Sequence, residues 1–190
     1  MSSKAANYYE KVIEKLKMIR DGQIAHKEVT GKYSNSINGL IQFIDTAQLA
    51  LTNTTTVVEK VNKGTRWQKL MVDVEKRVTD TVGYEPVLTR FTGRDYKNMA
   101  IVPGTTQEFK LELGSVETVA GLEIPVFFAS IEKIAVLKGM DPSLVKQELE
   151  ALETDQIKGA YVSVGSLAEV TTGVNWPPSY DKGEAVVKED

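Results

Sequence analysis

The spacing of apolar residues changes from three-and-four to two near residue 84, and that switch limits the fold more than any single motif does. Residues 4–29 carry Tyr8, Tyr9, Val12, Ile13, Leu16 and Ile19 at the spacing of one helix face. The charges on this helix help little. Glu10 and Glu14 stand four apart, as do Lys11 and Lys15, and like pairs at that spacing are mildly unfavourable. Packing must therefore hold the helix, and Gly22 is read as an interruption or kink within it.

Gly31 to Asn35 reads as a turn, and a second helix follows with Ile37, Leu40, Ile41, Ile44 and Ala47 on one face, reaching toward Leu51. The β-branched run Thr52 to Val58 weakens helix there. A third helix is predicted from Thr65 or Arg66 to Val82. Leu70, Val74, Val78 and Val82 recur every four residues, Trp67 lies one turn earlier, and Gly83 supplies a stop. These readings make residues 1–83 a helical region.

From Tyr84 the period becomes two, and residues 84–173 read as an α/β region. Phe109, Leu111 and Leu113 alternate with Glu108, Lys110 and Glu112, as in a strand with one buried face. Leu122, Ile124, Val126 and Phe128 repeat the alternation, and Pro125, with no amide donor, places that strand at an edge or a bulge. Val87–Phe91 and Met99–Val102 are weaker strand candidates, and Tyr161–Val164 is a further one. Between them lie two short helices. Ile131–Leu137 has Ser130 as N-cap and Gly139 as terminator; the next has Asp141 as N-cap, Pro142 at its first position, and Leu144, Val145, Leu149 and Leu152 as its apolar face. Residues 174–190 read as an extended tail, since Val174-Asn175-Trp176-Pro177-Pro178 cannot form a regular helix and Lys182–Asp190 is charged. The expected class is α+β: a helical N-terminal region, a mainly antiparallel β middle, a short helical corner and the tail, as separate units or as one domain.

Several chemistries have no residues to carry them. The chain has no cysteine, which excludes disulfides, thiolate metal sites and thiol nucleophiles. His26 is the one histidine, in a lysine-containing helical stretch without a nucleophile motif, and reads as a solvated or helix-end side chain. Glu148, Glu150 and Glu153 crowd one helix and read as a solvated acidic face. Phosphate-binding glycine loops and the calcium-loop pattern are missing. No catalytic residue, cofactor or metal is expected. Met1–Lys11 holds no apolar run before a small-residue cleavage site, and no stretch of about 18 apolar residues occurs. The expectation is a chain without signal peptide or membrane contact, cytoplasmic or within an assembled particle. Asn53-Thr54-Thr55 matches a glycosylation acceptor and is read as chance.

Two surface features remain. Net charge is −3, yet residues 1–106 hold 16 Lys/Arg against 11 Asp/Glu, whereas residues 107–190 hold 7 against 15. Such polarity can draw one end of a subunit to the other end of its neighbour, or aim a basic face at an anion. Within residues 60–77, Lys63, Arg66 and Lys69 surround Trp67, with Lys60, Lys76 and Arg77 nearby, a mixture of cations and stacking surface that suits an anionic partner. The ordinary alternative has Trp67 anchoring its helix to the core while the cations reach outward. Residues 131–153 also resemble a helix-turn-helix, with Ala135, Gly139 and Val145 at the packing and turn positions, although the second helix would turn its acids toward the DNA phosphates.

The preferred expectation is a non-enzymatic structural or assembly protein, a subunit of a large particle such as a viral capsid or tail, with copies of itself or other assembly subunits as partners. The alternative is a nucleic-acid-binding or regulatory protein using residues 131–153 or the patch around Trp67. An enzyme with carboxylate chemistry stands third.

Overall fold

The computed structural model describes residues 3–150 and 156–181. Its first element is the helix α1, Ser3–Thr30, which runs unbroken for 28 residues. The predicted stripe is buried, with Tyr9, Leu16 and Ile19 at 0% exposure. Burial then goes further than one stripe. Lys17, Met18, Gly22, Gln23 and Ala25 are buried as well, so the middle of α1 is covered on most sides. Gly22 neither stops nor kinks it. It lies where α2, Ile37–Thr46, crosses, and a methyl group there would meet Ile44 Cδ1 at 3.6 Å, an ordinary contact.

The α1–α2 connection is closed by polar groups placed to satisfy one another. Gln23, fully buried, donates from Nε2 to Ser34 O (2.9 Å) and accepts from Ser34 N (2.8 Å), leaving its amide paired at both ends. Ser36 caps α2 by accepting from Gly39 N at 2.9 Å. His26 occupies the end of α1: its Nδ1 donates to Lys32 O at 2.6 Å and its ring lies 4.8 Å from that of Phe43. It is a packed helix-end histidine.

α2 ends at Thr46, and the chain then departs from the expected helical region. Residues 48–86 form a long antiparallel hairpin, β1 (Gln48–Asn62) with β2 (Met71–Pro86), in place of a third helix. The reason lies in the arithmetic of the two periods. A four-residue repeat is one helical turn, but it is also an even number, so Val74 and Val78 share a face in a strand too. The β-branched content of both segments settles the contest. Gly83 is a strand residue beside a register shift, not a helix stop.

Val87–Phe91 is a 3₁₀ turn that buries Val87 and Phe91, not a strand, and Met99–Val102 contributes only a single bridge, Ile101 to Glu108. A second antiparallel sheet follows in the order β3-β4-β5, from Lys110–Glu117, Glu123–Glu132 and Tyr161–Gly165. β5 pairs with β4 only along residues 128–132, so Pro125 sits where β4 has a neighbour on one side alone, paired with Ser115. That is an edge in all but strand order. β4 also takes in Ser130, Ile131 and Glu132, so helix α3 shrinks to Lys133–Val136 and its N-cap is Glu132 rather than Ser130.

The C-terminal segment is folded over its described part. Val174 bridges Val164, Trp176 is 4% exposed, Pro178–Asp181 makes a 3₁₀ turn, and Asp181 accepts both Lys17 Nζ (2.9 Å) and Trp176 Nε1 (3.2 Å). The expected extended tail thus begins no earlier than residue 182, and Lys182–Asp190 lies outside the described residues.

Two glycines separate backbone need from mere tolerance. Gly165 has φ +80° and a Cβ there would lie 2.1 Å from Phe127 O, whereas Gly22 is helical with room to spare. Gly165→Ala should cost at least about 2 kcal/mol and lower the melting temperature by about 4–8 °C. Gly22→Ala should leave it unchanged or raise it. Thermal unfolding followed by circular dichroism checks both, and equal melting of the two variants would contradict this reading.

Candidate functional site

The β1–β2 hairpin leaves the body at its root and stays clear of it. Leu49 is 4% exposed and Val87 N donates to Ala47 O at 3.0 Å, which fastens the root to the core. Beyond Leu49 no residue of either strand is buried. Fifteen residues at about 3.4 Å each give the arm a reach of about 50 Å.

Register sorts its side chains into two unlike faces. One carries threonines and charges, as in the pairs Thr54–Thr79, Thr56–Arg77 and Lys60–Asp73, with the two threonine hydroxyls 3.1 Å apart. The opposite face carries Val57, Val61, Val72, Val74 and Val78, with Val61 and Val72 directly paired and with Lys76 and Glu59 standing across from Val57 and Val74. Nothing among the described residues covers it. Val57 is 43% exposed, and Val72, Val74 and Val78 are half-buried. A two-stranded ribbon is marginal in water by itself, and both of its strands are open edges. An apolar face held out this way is a surface that awaits another.

The tip is built more tightly than its length suggests. Asn62 Oδ1 accepts from Gly64 N (2.9 Å) and Leu70 N (3.1 Å), Lys63 N donates to Leu70 O (2.8 Å), and Gln68 N donates to Thr65 Oγ1 (3.2 Å). Gly64 is required by close approach, since a Cβ there would fall 2.0 Å from Gln68 O. This frame gathers Lys63, Arg66, Trp67 and Lys69, the four residues singled out in the sequence, into one loop. Trp67 is 92% exposed and anchors nothing, which removes the core-anchor alternative. The sequence groups these residues, but their setting is a hairpin tip instead of the expected helix. None of the three cations, nor Lys60, is in an ion pair among the described residues.

A second polar constellation lies inside the body, where the sequence pointed to a solvated acidic helix. α4, Pro142–Leu149, is capped by Asp141 as expected, its carboxylate accepting from Ser143 N at 2.8 Å. Glu148, however, is 1% exposed. Beside it Lys133, itself fully buried, donates from Nζ to the Glu148 backbone O at 2.8 Å and to Ile157 O. Burial pushes the Lys133 ammonium below its ordinary range, and the nearby Glu148 charge opposes that. Glu148 Oε2 and Tyr9 OH are buried without a hydrogen-bond partner. This lysine clamps the corner, and no periodicity announces a buried lysine.

The same corner weakens the helix-turn-helix resemblance. Gly139 does turn the chain at φ +89°, but α3 spans only four residues and its Ile134 is 58% exposed. Leu152 and Glu153 lie outside the described residues. Among those described, no group of three His, Asp or Glu could hold a metal ion, and no helix is long and apolar enough to cross a membrane.

Tyr9 offers a test of the interior. Burial, then the charge of Glu148 and the neighbouring Tyr180, holds its hydroxyl well above the ordinary tyrosine range. Above about pH 10 the unfolded chain releases this proton while the folded chain keeps it, so stability present below that pH is lost as pH rises. The loss from this group is about 1.4 kcal/mol per pH unit. Urea unfolding of Tyr9→Phe should show a shallower alkaline decline than the parent, and an identical slope would refute the assignment.

Compared with known proteins, the chain matches no protein-family model, no curated protein and no solved structure.

Proposed function

We propose that this chain is a non-enzymatic structural subunit that joins its neighbours through the β1–β2 arm, as a component of a large particle such as a viral capsid or tail. The observation that carries the reading is the uncovered valine face on a ribbon of about 50 Å, ending in an exposed tryptophan. Fully burying one valine is worth roughly 1.5 kcal/mol, so a partner seated along five of them gains several kcal/mol before ordering costs. Tryptophan and arginine at the end of such a ribbon are the residue types that most often dominate interface energy. The arm also has nothing to do for its own body, which is closed without it.

A second reading has one specific observation behind it. Trp67 stands exposed among Lys63, Arg66 and Lys69, and a stacking ring between cations that have no ion pair among the described residues suits single-stranded nucleic acid. The valine face counts against it as the main role, since phosphates have no use for an apolar ribbon.

Light scattering on the eluting protein should give a mass several-fold above the 21.0 kDa of one chain. Val57→Thr with Val78→Thr keeps the β-branched shape while removing apolar surface, and should weaken association at least tenfold with little change in melting. A 21.0 kDa species at every concentration would overturn the proposal. Retention of DNA or RNA that weakens with salt and with Lys69→Glu would favour the second reading, and indifference to that substitution would remove it.

A further inference from the structure

The far end of the β3–β4 sheet is the arm's complement in charge and in surface. Residues 107–132 hold Glu108, Glu112, Glu117, Glu123 and Glu132 against Lys110 alone, while residues 60–70 hold Lys60, Lys63, Arg66 and Lys69 with no acid. Lys110 is already engaged with Glu112 at 3.1 Å. Glu117 and Glu123 are directly paired across β3 and β4, and both are exposed. Like charges placed opposite one another are destabilising in an antiparallel pair, and no cation of the described residues relieves them. This pair wants a positive charge from outside.

The same end is apolar where the arm is apolar. On the face that carries Glu117 and Glu123, register places Leu113, Ser115 and Pro125, all exposed. The connecting turn adds Leu122 at 65% exposure and Val119, wholly exposed. β5 does not reach this half of β4, and among the described residues the segment after β5 borders it only at Pro125 and Val126 through Val170–Thr172 and at Gly114 through Leu167. A patch of leucine, proline and valine bordered by two unrelieved carboxylates faces outward here, and a ribbon of valines ending in tryptophan and three cations faces outward at the arm. The arm is anchored to the body only near Leu49, and its tip stands away from it.

We infer that the β3–β4 end of a second copy of this chain is the seat of the arm, with Lys63, Arg66 and Lys69 meeting Glu117 and Glu123 while Trp67 and the ribbon valines cover Leu113 and Leu122. The inference rests on the assembly reading above and names its partner. Because tip and seat are different surfaces, each added copy offers a new one, and association continues until the arrangement closes on itself. The charge contacts lie at the rim and steer the approach, so association weakens as salt is raised.

Charge reversal tests both halves at once, by sedimentation velocity. A tip-reversed protein (K63E/R66E/K69E) and a seat-reversed protein (E117K/E123K) should each lose association at least roughly tenfold, being left with like charges at tip and seat. Mixed in equal amounts they should associate again, since each acidic tip then meets a basic seat and each basic tip an acidic one. The milder E117Q/E123Q protein should associate with less dependence on salt than the parent, which guards against a reversal that simply fails to fold. Wild-type association that persists in either reversed protein, or a mixture that stays monomeric, overturns the seat while leaving assembly through the arm intact. A wild-type protein that never associates overturns both.

Discussion

Most of this fold depends on burying the middle of one helix. α1 is packed by α2, by the β3-β4-β5 sheet, by the helical corner and by the chain's return through Trp176, and each of those elements is too small to be stable without it. The cost of such central placement is that polar side chains are enclosed with the apolar ones. Gln23 is satisfied by the backbone of Ser34, and Lys17 by Asp181. Tyr9 is not satisfied, and its hydroxyl lies close to the charge of Glu148. Of these partners, Ser34 lies just past the end of α1 while Asp181 comes from the far end of the described chain, which ties the two ends together.

That dependence explains which parts of the structure could be read in advance. The stripe of α1, the cap and face of α2, the β3 and β4 alternation and the Asp141-Pro142 start of α4 are local patterns, and each appears where local chemistry puts it. The valines from Val74 to Val82 failed because spacing by four fits both a helix and a strand; β-branched content and pairing with Thr52–Val61 together choose between them. Glu148 failed for a different reason. A glutamate beside two others on a short helix looks solvated until a lysine from α3 reaches beneath it, and that contact spans 15 residues.

The candidate site was half legible. Cations around a tryptophan were visible in the composition of residues 60–77, and the opposed charge of the two halves was countable. Their placement on an arm was not, because a projecting ribbon has no core of its own to impose a burial pattern on its sequence. Its alternation of valine with acid at Val72-Asp73-Val74-Glu75 is a strand signal in retrospect, masked by the longer repeat. The arm is thus the part of the molecule that the body does not explain. Threonine pairs on one face and the Val61–Val72 pair on the other keep it in register, while neither face meets the body beyond the root.

The register shift between Leu51 and Thr52 gives the ribbon a mechanical property. It adds one residue to β2 at the point where the strands leave the body, and such a bulge bends and twists a ribbon locally while the rest stays stiff. A lever of about 50 Å pivoting there through about 10° carries its tip through about 9 Å. One sequence could then bridge neighbours set at unequal distances, so that curvature in a shell or tube would be absorbed at a single joint and not by remodelling the contact surfaces.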